Sequence, residues 1–178
     1  AFEKLKSMRR NMTGRTGCGL CGIESLKQAI RPIPVVHAPQ VSQDVIAQAL
    51  ETIRANQPIN AMTGATHAAA WCSLTGQIEL VREDVGRHNA LDKLIGAMSG
   101  MSIDRQQGFI LVTSRASYEM VQKTCMANVG CLVAISAPTS LAIDQARQAG
   151  LLLVGFARAN KQVIYHDPHQ PELLSHVI

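Results

Sequence analysis

Phe109-Ile-Leu-Val-Thr113, Leu132-Val-Ala-Ile135 and Leu151-Leu-Leu-Val154 are three short apolar runs in the second half of the chain. Runs of this length that are apolar throughout, rather than at alternate residues, mark strands covered on both faces. Between them lie segments with helical signals. Tyr118 to Ala127 reads as one helix, and Thr139 caps another that runs to Gln148 and stops at Gly150. Strands alternating with helices predict a mostly parallel sheet with helices on both faces. In such sheets ligands bind in the crevice outside the carboxyl ends of the strands. The residues just after each apolar run are therefore the first candidates for a site.

The same reading extends outward. Arg87 to Met98 has a helical pattern, and Thr66 to Leu74 and Gln77 to Arg82 read as two strands joined at Thr75-Gly76. Ser42 is the expected N-cap of a helix through Arg54, with Val45, Ile46, Ala49, Leu50 and Ile53 recurring on one side. Gln162 to Tyr165 reads as an edge strand, and Arg31 to Gln40, with three prolines, as an extended connection. Near the start, Lys4 to Met12 and Ile23 to Ala29 read as short helices. They flank a loop, Thr13 to Gly22, that holds four glycines.

Composition narrows the class. The chain has 178 residues, 47% hydrophobic and 3% aromatic, with a net charge of +4. That is enough apolar material for one packed domain, and it excludes disorder. No apolar run approaches the ~20 residues that cross a bilayer, so no membrane insertion is expected. Six scattered aromatics offer no platform for stacking bases, so nucleic acid is not an expected partner. Much of the positive charge lies in the first 31 residues (Lys4, Lys6, Arg9, Arg10, Arg15, Lys27, Arg31), which favours an anionic partner. The chain begins at Ala1 rather than Met, and the expectation is that the natural protein extends further N-terminally. Five cysteines without a disulfide framework predict a reducing, cytoplasmic setting.

Five constellations could carry chemistry. Gly17-Cys18-Gly19-Leu20-Cys21-Gly22 sets two thiols at CxxC spacing in a glycine-rich loop. The pair suits half a zinc site, a redox dithiol or a carrier of persulfide sulfur. No second pair completes a tetrahedral zinc set, and Cys72, Cys125 and Cys131 read as buried hydrophobes. Arg15 and its basic neighbours favour thiolate. His67, followed by Ala68-Ala69-Ala70, resembles the start of a deaminase zinc motif, but Ala69 stands where the general acid/base Glu belongs. Asp84, Arg87 and His88 lie where a strand pattern gives way to a helix, and Ser114 and Arg115 lie at a second such junction. Both are plausible anion cradles. After the third apolar run, Phe156 could stack on a ring, while Arg158 and Lys161 could meet phosphate.

Together these residues resemble the FdhD family of formate dehydrogenase accessory sulfurtransferases. The resemblance rests on residues 14–22, Thr66-His-Ala-Ala-Ala70, Glu83 to Lys93, Ser114 to Lys123 and Gly155-Phe156, and runs from about Gly14 to Tyr165. It implies a cytidine-deaminase-like three-layer α/β/α fold with a flexible CxxC loop near the N-terminus, and a homodimer. It implies transfer of sulfur from a cysteine desulfurase to the molybdenum cofactor, bis-molybdopterin guanine dinucleotide, for delivery to formate dehydrogenase. By position, Cys18 matches the persulfide-bearing cysteine and Cys21 its companion. Phe156, Ala157, Arg158, Ala159, Asn160 and Lys161 match the segment that contacts the guanine dinucleotide, which a guanine nucleotide would mimic. The expected division is a basic segment over 1–40 and a deaminase-like domain over 41–178, without a further N-terminal domain that family members usually carry. The rival reading is a cofactor-binding chaperone whose CxxC clips a metal.

Overall fold

A computed structural model describes residues 32–170. The chain divides into two compact units, Ala1–Pro32 and Ile33–Ile178, and the second holds every helix and strand of the described residues. Cys18 and Cys21 lie outside the described residues.

The elements run in chain order. α1 (Gln43–Thr52) leads through a 3-10 turn (Ile53–Asn56) to α2 (Pro58–Thr63). Then come β1 (His67–Ser73), β2 (Ile78–Asp84), α3 (Arg87–Ser99), β3 (Gly108–Val112), α4 (Tyr118–Met126), β4 (Cys131–Ala134), α5 (Ser140–Ala149), β5 (Leu152–Arg158) and β6 (Lys161–His166). Local chemistry sets several of these limits. Ser42 and Thr139 accept from the backbone N–H groups of Val45 and Ala142 and so cap α1 and α5. Gly150 ends α5 in the left-handed conformation, φ 69°. The turn between β1 and β2 needs Gly76, whose φ is 82°.

The six strands form one sheet in the order β2-β1-β3-β4-β5-β6. Only β3–β4 and β4–β5 pair in parallel; β1 pairs antiparallel with both β2 and β3, and β5 pairs antiparallel with β6. The expected mostly parallel sheet is thus corrected to a mixed one. Short connections are the cause. Tight turns join β1 to β2 and β5 to β6, and a turn can only return the chain antiparallel. The parallel pairs are those spanned by α4 and α5.

The buried strands pack on both faces, as their unbroken apolar runs require. On one face Ala69, Trp71, Ile110, Val112, Leu132 and Leu153 meet Leu91 and Leu94 of α3, Met120 and Val121 of α4, and Ala142 and Ala146 of α5. On the other, Ala70, Phe109, Leu111, Cys131, Val133 and Val154 meet Ile46, Ala49 and Ile53. The segment before α1 belongs to this unit as well: Val36 is buried, and its N–H donates to Ala149 O at 2.9 Å. Among the described residues no helix is long and apolar enough to cross a membrane.

Two elements differ from the sequence reading. β5 runs to Arg158 rather than stopping at Val154, because its last residues turn back into β6 with Arg158 opposite Lys161. The chain from Ala55 to Ala65, where sequence pattern predicts nothing, holds α2. Proline at its first position, where no backbone N–H is needed, starts that helix, and Gly64 in the left-handed conformation ends it.

Candidate functional site

β3, β4 and β5 all end on the same edge of the sheet, and β1, running the other way, begins there. A cavity of about 750 Å³ opens at this edge. Its walls come from separate parts of the chain: Ile53, Arg54 and Gln57 from the 3-10 turn and its exit, Asn60 and Ala61 from α2, Thr66 and His67 at the start of β1. Thr113, Ile135 and Ala157–Ala159 supply the strand ends. The lining holds two arginines and no acid. Of the lining residues Ile53, Gln57 and Ala157 are buried, whereas Arg54 and Arg158 are exposed. Arg158 is braced, its Nη1 donating to Ile135 O at 2.6 Å and Ala157 O at 3.0 Å.

Glu83 of β2 anchors the α2 wall. Its carboxylate accepts from the backbone N–H groups of Ile59 (2.9 Å) and Asn60 (2.8 Å), the free donors of the first turn of α2. It also accepts from Thr66 Oγ1 at 2.9 Å. Burial pushes the Glu83 carboxyl up, but these three donors outweigh it and hold it below its ordinary value. A carboxylate here therefore serves the wall, leaving the cavity itself without an anion.

Of the residues proposed from sequence, His67, Ala157, Arg158 and Ala159 line the cavity. Phe156, Asn160 and Lys161 lie on the same β5–β6 hairpin but not in the lining. Phe156 is 45% exposed, holds a positive φ of 48°, and sets its ring 6.5 Å from that of Tyr165. Its N–H donates to Ser136 O, which ties the hairpin to the end of β4.

The other candidates gather elsewhere. Asp84 lies at the end of β2, where it accepts from Lys93 Nζ, from the Gly86 N–H at 2.9 Å and from Asn89 Nδ2 at 3.2 Å. Those bonds staple the entry of α3. His88 Nε2 lies 2.9 Å from Glu119 Oε2 and 3.3 Å from Ser117 Oγ, bringing the starts of α3 and α4 together. Burial lowers the His88 pKa and raises that of Glu119. Arg87 Nε beside them is buried without a hydrogen bond. Ser114 is buried and donates to Arg115 O at 3.1 Å, and Arg115 is exposed. None of these five lines the cavity.

Asp84 yields a prediction. The hydrogen bond from Lys93, aided by Gly86 and Asn89, holds its carboxyl down at about 2, against an ordinary 3.8. Because the folded value is the lower one, the contribution is complete above about pH 4 and is lost as pH falls toward 2. Thermal melts between pH 5 and pH 2 should therefore show an acid limb that Asp84→Asn flattens. An unchanged limb in that variant would refute the assignment.

The remaining thiols are sequestered. Cys72, Cys125 and Cys131 are all free and buried. Burial pushes Cys72 and Cys125 up to about 12 and Cys131 upward as well, so none supplies thiolate near neutrality. Among the described residues no three His, Cys, Asp or Glu side chains cluster as metal ligands.

Sequence reasoning missed Arg54, Gln57, Asn60 and Thr66. A Gln-Pro step after a helix signals a break, but nothing local says that the next turn folds over the strand ends.

Comparison with known proteins gives a consistent picture. The family described as FdhD/NarQ matches residues 1–172. The sulfur carrier protein FdhD of Xanthomonas euvesicatoria pv. vesicatoria is 54% identical over 170 residues, covering 95% of this chain and 60% of that protein. That of Variovorax paradoxus is 54% identical over 169 residues, covering 94% and 61%. The chain thus spans about 60% of the length of these curated relatives. Among solved structures, a formate dehydrogenase accessory protein from Desulfotalea psychrophila superposes with a TM-score of 0.69 at 22% identity, over 78% of this chain and 58% of that one. At that identity the likeness concerns the fold.

Proposed function

Because this chain belongs to the FdhD/NarQ family, we propose that it carries persulfide sulfur from a cysteine desulfurase to bis-molybdopterin guanine dinucleotide, the molybdenum cofactor that formate dehydrogenase requires. The observation that carries the reading is the strand-end cavity, with two exposed arginines and no acid in its lining. A phosphate-bearing ligand suits that charge, and the volume lies within the range of about 300–1,000 Å³ found for small-molecule sites. The space suits one nucleotide end of the cofactor, with its phosphates against Arg54 and Arg158. The cofactor is cargo here, a substrate rather than a resident group.

The sulfur chemistry falls to Cys18 and Cys21. A desulfurase leaves a terminal sulfur on Cys18 as a persulfide. Releasing it as sulfide takes two electrons, which Cys21 supplies. The Cys21 thiolate attacks the Cys18 sulfur, the Cys18–Cys21 bond forms, the bond to the terminal sulfur breaks, and that sulfur leaves as hydrosulfide toward the metal. Two equivalents of an external thiol then reduce the Cys18–Cys21 disulfide through a mixed disulfide, leaving as their own disulfide. The core cysteines cannot replace them, since their thiols stay protonated. The proposal includes a homodimer in the cytoplasm that docks the desulfurase and formate dehydrogenase in turn. It also includes deaminase-like layering, supported by α1 on one face of the sheet and α3, α4 and α5 on the other.

The direct test is mass spectrometry of the chain after incubation with a cysteine desulfurase and cysteine. The Cys18 peptide should gain the mass of one sulfur atom and lose it on treatment with a thiol. No increment on that peptide, with sulfur instead on Cys72, Cys125 or Cys131, would overturn the assignment.

A further inference from the structure

α2 walls the strand-end cavity through Asn60 and Ala61, yet none of its six residues is buried. Ile59, Ala61, Met62 and Thr63 are exposed, Met62 at 88%, and Asn60 is half-buried. A helix is normally fixed by burying an apolar stripe, and one this short is unstable alone. Among the described residues, what holds α2 is polar and comes chiefly from one side chain. Glu83, set in the β1–β2 ladder opposite Ala68, takes the N–H groups of Ile59 and Asn60 and the hydroxyl of Thr66. Asn60 Oδ1 adds a long bond from the Thr66 N–H, at 3.4 Å. The two ends of the helix differ. Gln57 is buried and anchors the entry. Gly64 forms the exit in the left-handed conformation, exposed, and a Cβ built on it would meet nothing within 4 Å. Glycine there leaves the backbone free to change conformation.

We propose that α2 is a lid on the strand-end cavity and that Glu83 is its latch, a positioning residue that sets how often the cavity opens. What passes the lid rests on the cavity reading above; the lid itself does not. When the carboxylate lets go, α2 swings about Gln57 and Gly64, and the mouth beside Asn60 and Ala61 widens. The freed N–H groups of Ile59 and Asn60 find water at once, because α2 is already exposed. Opening therefore costs the exchange of charge-assisted bonds for solvent and no apolar burial. A segment held in this way opens locally and leaves the sheet beneath it intact. Such a lid governs how fast a ligand enters and leaves.

The experiment compares the parent chain with Glu83→Gln, which keeps the shape of the side chain and removes its charge and one acceptor. The first readout is amide hydrogen exchange of the ligand-free chain. Peptides covering 58–65 should exchange about 10-fold faster in the variant, while peptides of β1 and β3 keep the parent's rates and so show that it is folded. The second is stopped-flow binding and release of fluorescently labelled GDP. A gate raises both rates together, by about 10-fold, and leaves Kd within about 3-fold of the parent. A residue that only shapes the wall would speed release alone and weaken Kd. Unchanged exchange over 58–65, exchange that quickens equally in the sheet, or faster release without faster binding would overturn the proposal. If the parent binds no labelled GDP, the cavity reading fails, and the exchange rates still decide whether Glu83 latches α2.

Discussion

Replacing Cys18 with alanine is expected to reduce activation of formate dehydrogenase by about 100-fold or more, to background, in a host lacking its own copy of the protein. Cys18→Ser should fail as completely, because a hydroxyl oxygen cannot hold sulfane sulfur. Sulfur transfer needs a thiolate at neutral pH, and burial removes that option from Cys72, Cys125 and Cys131. The glycine-rich segment from Gly14 to Gly22 carries the other two cysteines, with Arg15 close in sequence. Cys21→Ala should behave differently. Without it the persulfide still forms, but no internal thiol supplies the two electrons that release it. Activity should fall only partly and recover with added thiol reductant. Full activity in Cys18→Ala would overturn the mechanism. Equal, unrescued loss in both variants would deny Cys21 the reductant's role and make it a second carrier.

The second large effect concerns stability. Gly130 joins α4 to β4, and its O accepts from the Leu152 N–H at 2.9 Å. A Cβ built there would lie inside van der Waals contact with His37 O and 2.7 Å from Ala38 Cα. Both obstacles are backbone, so no side chain can rotate away. Gly130→Ala should cost about 3 kcal/mol, a fall of roughly 6–12 °C in Tm. The displaced backbone is the 33–40 segment, which bonds through Val36 N–H to Ala149 O at the end of α5. Gly96→Ala is the control. Gly96 lies inside α3, and its added Cβ would meet nothing within 4 Å. That change should instead stabilise by roughly 0.5–1 kcal/mol, because alanine loses less backbone freedom on entering a helix. Equal melting temperatures for Gly130→Ala and the parent would show that the 33–40 segment does not pack where the structure puts it.

The site divides along the same line as the fold. Arg158, Ala157 and Ala159 were legible because they follow an apolar run, and strand ends are where α/β sheets bind ligands. Asp84, Arg87 and His88 also follow a strand, and by the same rule they looked equivalent. They are not: β2 ends on the same edge as β3, but it is the outermost strand of the sheet, and Asp84 is spent on Lys93 and the start of α3. Arg54 and Gln57 were illegible for the opposite reason. Arg54 falls at the last position of the helix that periodicity predicts, where the structure turns to 3-10, and Gln57 lies between that turn and α2, whose first turn Glu83 holds.

By itself the sequence determined the elements whose information is local. The apolar runs made β3, β4 and the start of β5. Ser42 and Thr139 began α1 and α5, Gly150 ended α5, and Gly76 turned β1 into β2. The caps and the turn rest on contacts within a few residues, and the strands on unbroken apolar runs, so both are encoded locally. Only the tertiary structure decided the direction of β1 against β3, the placement of α2, and which strand-end side chains share one cavity. Those outcomes join residues far apart in the chain, as when Glu83 holds Ile59 and Asn60. They depend on which faces bury together, and no local pattern carries that information.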